Sequence, residues 1–264
     1  MSTPRVFIIR HGETEWSLNG RHTGTTELPL TANGERRMRA TGKALVGDDR
    51  LIVPRNLTHI YVSPRHRAQR TFELLGVVPR CALPWTRHGV ADGPPNCAVD
   101  ANIEVTDAIR EWDYGDYEGL TSHYIREQRK ERGEREDWDI WRDGCPGGES
   151  PEQVTKRLDA LIADIRARFH GPALSKAKTA PSGTVAKDAA PSDVLVVAHG
   201  HILRAFAARW IGKNIAENPS LILEAGGVGT LSYEHHSIQE PAILLGGAFM
   251  VDVVEHTAED TKKV

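Results

Sequence analysis

The sequence predicts an α/β chain with parallel strands in its sheet, and three observations carry that prediction. Two apolar runs, residues 6–9 and 194–197, each stop at a polar tip: Arg10-His11-Gly12 after the first, Ala198-His199-Gly200-His201 after the second. A third run, Thr58-His59-Ile60-Tyr61-Val62, closes in Ser63-Pro64-Arg65. Helical spacing follows the second and third runs, so strand and helix patterns alternate along the chain.

Val6-Phe7-Ile8-Ile9 fits a short buried strand. Such a strand does not ordinarily end in a cation and an imidazole, because charge at a core edge is costly unless it is paired. In open α/β sheets ligands collect at the carboxyl ends of strands. Arg10-His11-Gly12 therefore reads as an anion site containing a nucleophile. Leu30-Thr31-Ala32 opens a helix that reaches about Leu45, with Thr31 as its cap. After the strand at 58–62, Ser63 followed by proline reads as a cap and first helical position. Ala68, Phe72 and Leu75 then mark one helix face. Residues 79–102, with Pro94-Pro95, read as an irregular excursion. The run 126–142 mixes both charge signs around Trp138 and Trp141 and reads as a solvated helix whose tryptophans pack inward. Ser150-Pro151-Glu152-Gln153 is a strong helix start with a capping-box glutamine. Val154, Leu158, Leu161, Ile162, Ile165 and Phe169 trace the apolar face that follows. Residues 171–193 are rich in Ala, Lys, Ser, Thr and Pro and read as a flexible insertion. Beyond the tip at His199, Ile202, Leu203, Phe206 and Trp210 give the face of a last helix.

With 264 residues and no repeat, a single domain carrying that insertion is expected. A net charge of -3 argues against nucleic acid or an anionic membrane as a bulk electrostatic partner. Three cysteines, Cys81, Cys97 and Cys145, suit neither a disulfide framework nor a zinc signature. A reducing compartment, cytoplasm or nucleus, is expected, with no signal peptide and no membrane span. Assembly as a monomer or a homo-oligomer stays open.

Parallel strands would bring the three tips together. Arg10, Arg65, His11 and His199 then surround one point, and two guanidinium groups beside two imidazoles suit a phosphoryl dianion. With Arg110-Glu111-Trp112-Asp113-Tyr114-Gly115-Asp116-Tyr117-Glu118-Gly119 between the tips, the chain resembles the histidine phosphatase superfamily, phosphoglycerate mutase-like branch. The resemblance implies a three-layer α/β fold, with a mostly parallel central sheet and helices on both faces. Glu15-Trp16-Ser17, Trp141-Arg142-Asp143-Gly144-Cys145, Ala225-Gly226-Gly227-Val228-Gly229, Leu231-Ser232-Tyr233-Glu234-His235-His236 and Glu240-Pro241-Ala242 resemble the fungal sedoheptulose bisphosphatases within it. These enzymes take the C1 phosphate from sedoheptulose 1,7-bisphosphate, act on fructose 1,6-bisphosphate too, and feed ribose synthesis.

For this chain the resemblance implies His11 as nucleophile, forming a phosphohistidine, and Glu111 as proton donor. Arg10, Arg65 and His199 would hold the transferring oxygens. Asp113, Asp116 and Glu118 are weaker proton-donor candidates. Because the cations are side chains, no metal or other cofactor is expected, and His199-Gly200-His201 is not read as a metal pair. Ser17, Thr23, Gly24 and the Gly200 N–H match positions that touch phosphate or sugar. Arg204, with His235 or His236 and preferably His235, would hold the second phosphate of a small sugar bisphosphate. His22 and Tyr114 would line the entrance. The alternatives are a phosphoglycerate mutase, a broad phosphomonoesterase, and a non-catalytic phospho-ligand domain. Thr14 and Ser17 stand where mutases carry serine and asparagine. Both His11 and Glu111 are present, which speaks against the non-catalytic reading.

Overall fold

In the computed structural model the residues described are 3–78, 83–85, 102–135, 137–179, 190–217 and 220–245. In chain order the elements are β1 (Val6–Arg10), α1 (Glu15–Asn19), α2 (Ala32–Leu45), β2 (Leu57–Val62), α3 (His66–Leu75), β3 (Ile103–Val105), α4 (Ser122–Glu131), α5 (Ile140–Asp143), α6 (Pro151–Ile165), α7 (Gly171–Thr179), β4 (Asp193–Ala198), α8 (Gly200–Trp210), β5 (Val228–Tyr233) and β6 (Pro241–Ile243). The strands form one sheet in the order β3-β2-β4-β1-β5-β6. The first four are mutually parallel, while β5 and β6 complete one edge in antiparallel pairing.

Period-two alternation divides the sheet residues between two cores. Val6, Ile8, Tyr61, Val194, Val196 and Ala198 pack with α6 and α8 on one face. Phe7, Ile9, Ile60, Val62, Leu195 and Val197 pack with α2 and α3 on the other. This double burial explains why β1 and β4 read as unbroken apolar runs. It also forces both strands to change character where they leave the sheet, at Arg10-His11 and at His199.

The helix starts at Thr31 and Ser150 follow the expected chemistry. Thr31 Oγ1 accepts from Gly34 N at 2.9 Å. Ser150 and Gln153 form a reciprocal capping box, with Ser150 N donating to Gln153 Oε1 at 2.8 Å.

Two expectations need correction. The run 126–142 is not one helix: α4 ends at Glu131 and Gly133 has φ 69°, so α5 is separate. Trp138 and Trp141 are nonetheless buried as expected. The insertion is not irregular from its start, since a π-turn (Arg166–His170) carries α6 into α7 and residues 171–179 are helical. Leu174 is buried there, His170 meets Tyr233 and Trp210 edge-on, and Ala and Lys favour helix. The rest of that expectation, at 180–189, lies outside the described residues. Much of 79–102 lies outside them too, but Leu83 is buried and Trp85 Nε1 donates to Glu73 Oε1 at 3.1 Å. Among the described residues no helix is long and apolar enough to cross a membrane.

Candidate active site

The sheet register sets up the site. Arg10 pairs with Ala198, so His11 and His199 leave adjacent parallel strands side by side, and His11 N donates to Ala198 O at 2.9 Å. The two rings lie 5.2 Å apart between centroids with 61° between their planes. Both are buried.

The hydrogen bonds assign each ring its tautomer. His11 Nδ1 lies 2.8 Å from Gly12 O. A carbonyl only accepts, so Nδ1 carries the proton and Nε2 keeps the lone pair. At His199, Arg67 Nε donates to Nδ1 at 3.2 Å. A guanidinium only donates, so here Nδ1 is the acceptor and Nε2–H donates to Ser63 Oγ at 2.7 Å. Burial, and then the charges of Arg67 and Arg10, hold the His11 pKa well below its ordinary value. Burial and Arg67 lead the same downward shift at His199. Both imidazoles are therefore neutral near pH 7, which a nucleophilic nitrogen requires.

Ser63 is thus not the cap of α3. That helix starts after Arg65 without a side-chain cap. Val62 pairs with Val197, which puts Ser63 at the tip next to β4 and within reach of His199.

The guanidinium groups divide into two kinds. Arg10 donates from Nη1 to Leu223 O at 2.8 Å, and Arg65 lies 3.3 Å from Glu27 Oε1. The Nε atoms of both are buried without a partner, a costly state that an anionic oxygen would relieve. Gly200 brings Arg10 close, since a Cβ there would lie 3.2 Å from the Arg10 Cζ and Nε. Arg67 is the cation that the sequence reading missed. It is fully buried, and it donates to Thr26 O and Thr23 O at 2.9 Å and to Gly24 O at 3.2 Å, besides His199.

Glu111 is buried and bridges to α8. Its Oε1 accepts from Trp112 N and Ile202 N at 2.9 Å, and its Oε2 from His201 N at 3.1 Å. A carboxylate at a helix N-terminus meets free N–H groups and the positive dipole end. Burial lowers the pKa of Arg67 and of Arg204, and the Glu111 charge opposes that shift in both, which places it within electrostatic reach of the two guanidinium groups.

Next to this centre lies a cavity of about 410 Å³, lined by His22, His201, Arg204, Trp138, Trp141, Arg126 and Arg142 among others. Arg204 lines it, with its Cζ 5.0 Å from the Trp141 ring centroid. His22 lines it too. Tyr114 lies beneath, with its hydroxyl 2.8 Å from His201 Nδ1 and its ring 4.8 Å from His22.

Other expected contacts are placed differently. Ser17 Oγ accepts from Thr14 N at 2.9 Å in the α1 capping box and donates to Thr14 O at 2.8 Å. The Gly24 N–H points to the Glu118 carboxylate, and the Thr23 and Gly24 carbonyls hold Arg67. His235 is not at the site. β5 runs antiparallel to β1, with Val228 beside Ile9 and Leu231 beside Val6. The segment after β5 thus emerges at the opposite end of the sheet, roughly 20 Å or more away along the strand. There His236 Nδ1 lies 2.6 Å from Thr3 Oγ1, and His235 pairs with Glu240 at 3.3 Å. The part of this region that reaches the site precedes β5: Gly226 N donates to His11 O and Arg10 N to Gly227 O.

Paired neutral imidazoles at parallel strand tips, ringed by guanidinium groups, define an enzyme of phosphate-ester chemistry. The chain belongs to the histidine phosphatase superfamily (branch 1), whose family model matches residues 6–87, 96–175 and 177–242. It is 37% identical to a sedoheptulose 1,7-bisphosphatase of Saccharomyces cerevisiae, over 94% of each chain. It is 32% identical to an acid phosphatase of Mycobacterium tuberculosis, over 91% of each. The solved structure of the product of open reading frame Rv3214 of M. tuberculosis superposes with a TM-score of 0.61 at 30% identity, covering 92% of this chain and 97% of that one.

Proposed function

We propose that this phosphoric monoester hydrolase removes the C1 phosphate of sedoheptulose 1,7-bisphosphate, and accepts fructose 1,6-bisphosphate, through a phosphohistidine on His11. The observation that carries the chemistry is the His11 ring. Gly12 O fixes its proton on Nδ1, and two buried Nε groups stand without partners at the centre, that of Arg10 in electrostatic reach of His11 and that of Arg65 in reach of His199. The His11 Nε2 lone pair attacks phosphorus in line, and the bond from phosphorus to the sugar oxygen breaks. Arg10, Arg65 and Arg67 supply the positive charge around the transferring group, and His199 is held beside it by Arg67 and Ser63. Next to the bound phosphate dianion the Glu111 carboxyl group takes up a proton, and it gives that proton to the departing sugar oxygen. It then takes a proton from the water that attacks the phosphohistidine, the P–N bond breaks, and phosphate leaves.

Two features support a bisphosphate substrate. A cavity large enough for a sugar phosphate adjoins the centre and carries Arg204. The 37% identical yeast relative is itself named for a sugar bisphosphate. A mutase or a broad phosphomonoesterase of the same family would share the His11 step and differ in acceptor or in the second phosphate site. A phosphate-release panel tests the reading, with seven- and six-carbon bisphosphates, phosphoglycerates and an aryl phosphate. Preference for the seven-carbon bisphosphate is expected. Release from the aryl phosphate alone, or transfer between phosphoglycerates, would overturn the substrate assignment.

A further inference from the structure

The loop after Arg21 is gripped on both edges. On one edge the Glu118 carboxylate accepts from three consecutive backbone N–H groups: Gly24 at 2.9 Å to Oε2 and 3.1 Å to Oε1, Thr25 at 3.1 Å and Thr26 at 2.9 Å to Oε1. On the other edge the carbonyls of Thr23, Gly24 and Thr26 accept from Arg67. The strap 23–26 therefore lies between an anion and a cation. Its peptide groups are polarised in one sense, so each grip strengthens the other. The strap also presses on the segment that carries Glu118, since a Cβ on Gly24 would lie 2.4 Å from Trp112 O.

We infer that Glu118 is a positioning residue for phosphoryl transfer: it fixes the strap, the strap's carbonyls fix Arg67, and Arg67 fixes His199 and places its charge beside His11. The inference rests on the phosphohistidine reading of His11. Among the described residues every hydrogen bond of Glu118 runs to the strap and none to His11 or His199, so Glu118 holds structure rather than moving a proton. The sequence offered it only as a weak proton donor. Among the described residues the hydrogen-bond partners of Arg67 are the strap carbonyls and the His199 ring, with no acidic side chain, so these aim its fork.

The test uses p-nitrophenyl phosphate, which is independent of sugar preference. Glu118→Ala should lower kcat about tenfold or more while KM stays within about threefold, because it disturbs the transition state more than binding. Glu118→Gln, whose amide oxygen can still accept from Thr25 and Thr26, should recover part of the loss. If the alanine variant does not fold, the glutamine variant carries the test. In an Arg67→Lys background, either substitution should cost less than about twofold more, because both act through one fork. A folded Glu118→Ala enzyme with wild-type kcat, a wild-type kcat in Glu118→Gln where the alanine variant does not fold, or losses that multiply with Arg67→Lys, would overturn the inference. His11→Ala run in parallel separates the two failures. If it still turns over, the phosphohistidine reading falls. If it is dead while Glu118 variants match wild type, only the positioning role falls.

Discussion

Gly200→Ala should separate activity from stability. Gly200 is the first residue of α8 and carries no positive φ, so alanine fits its backbone. Alanine in place of glycine inside a helix is worth about 0.5–1 kcal/mol. In a chain of this size that would raise Tm by about 1–3 °C. The new methyl would, however, sit 3.2 Å from the Arg10 Cζ and Nε and 3.5 Å from Nη2. Ordinary carbon contacts lie at about 3.5–4.0 Å, so the guanidinium must retreat by roughly 0.3–0.5 Å. It is the mobile end of a side chain, tethered to Leu223 O through Nη1, and its retreat costs part of one hydrogen bond, about 1 kcal/mol at most. The two stability terms nearly cancel. If about 1 Å of misplacement costs about a hundredfold in rate, this shift costs about four- to tenfold in kcat/KM. Steady-state kinetics and a thermal melt on the same preparation provide the readout. An unchanged kcat/KM would refute the placement of Arg10 against the transferring phosphoryl group. A loss that appears only with a collapsed melt would refute the decoupling.

Other outcomes follow from the same geometry. His11→Ala should abolish turnover and the acid-labile phosphoenzyme, as read by acid quench with labelled substrate. Arg204→Ala should raise KM for a sugar bisphosphate much more than for a monophosphate, since Arg204 faces the neighbouring cavity. His235→Ala should leave both values within about twofold of wild type, because the antiparallel run of β5 carries His235 away from the site. Low pH should destabilise the fold steeply. His22 is pulled down to about 4 and His170 to about 3, both chiefly by burial, and His11, His199 and His201 are shifted the same way. Between those values and an unfolded pKa of about 6.5, the unfolded chain binds more protons, so stability is full above that pH and lost as pH falls below it. Each such histidine adds up to about 1.4 kcal/mol per pH unit to the slope, and urea titrations from pH 7 to pH 4.5 that show a flat free energy would contradict the burial assigned here.

The parts of the site that could be read in the sequence lie where periodicity breaks. A strand buried on both faces must be apolar throughout, so Arg10-His11 and His199 stand out against β1 and β4 without any knowledge of the fold. Ser63 was misread for the opposite reason. A hydroxyl before proline is a general capping signal, and only the pairing of Val62 with Val197 shows that this hydroxyl meets His199 instead. Arg67 left no signal because a charged residue in a helix is by default solvated. Which way α3 rolls onto the sheet, and hence whether Arg67 turns inward, is decided by the packing of Ala68 and Phe72 against β2 and β4. His235 failed on direction rather than on residue type. Its motif was recognisable, but apolar content cannot tell a parallel strand from an antiparallel one, and that choice decides which end of the sheet receives the residues that follow. The same choice delivers Gly226, Gly227 and Leu223 to Arg10 and His11. The antiparallel edge thus contributes backbone to the centre, where the motif had promised an imidazole.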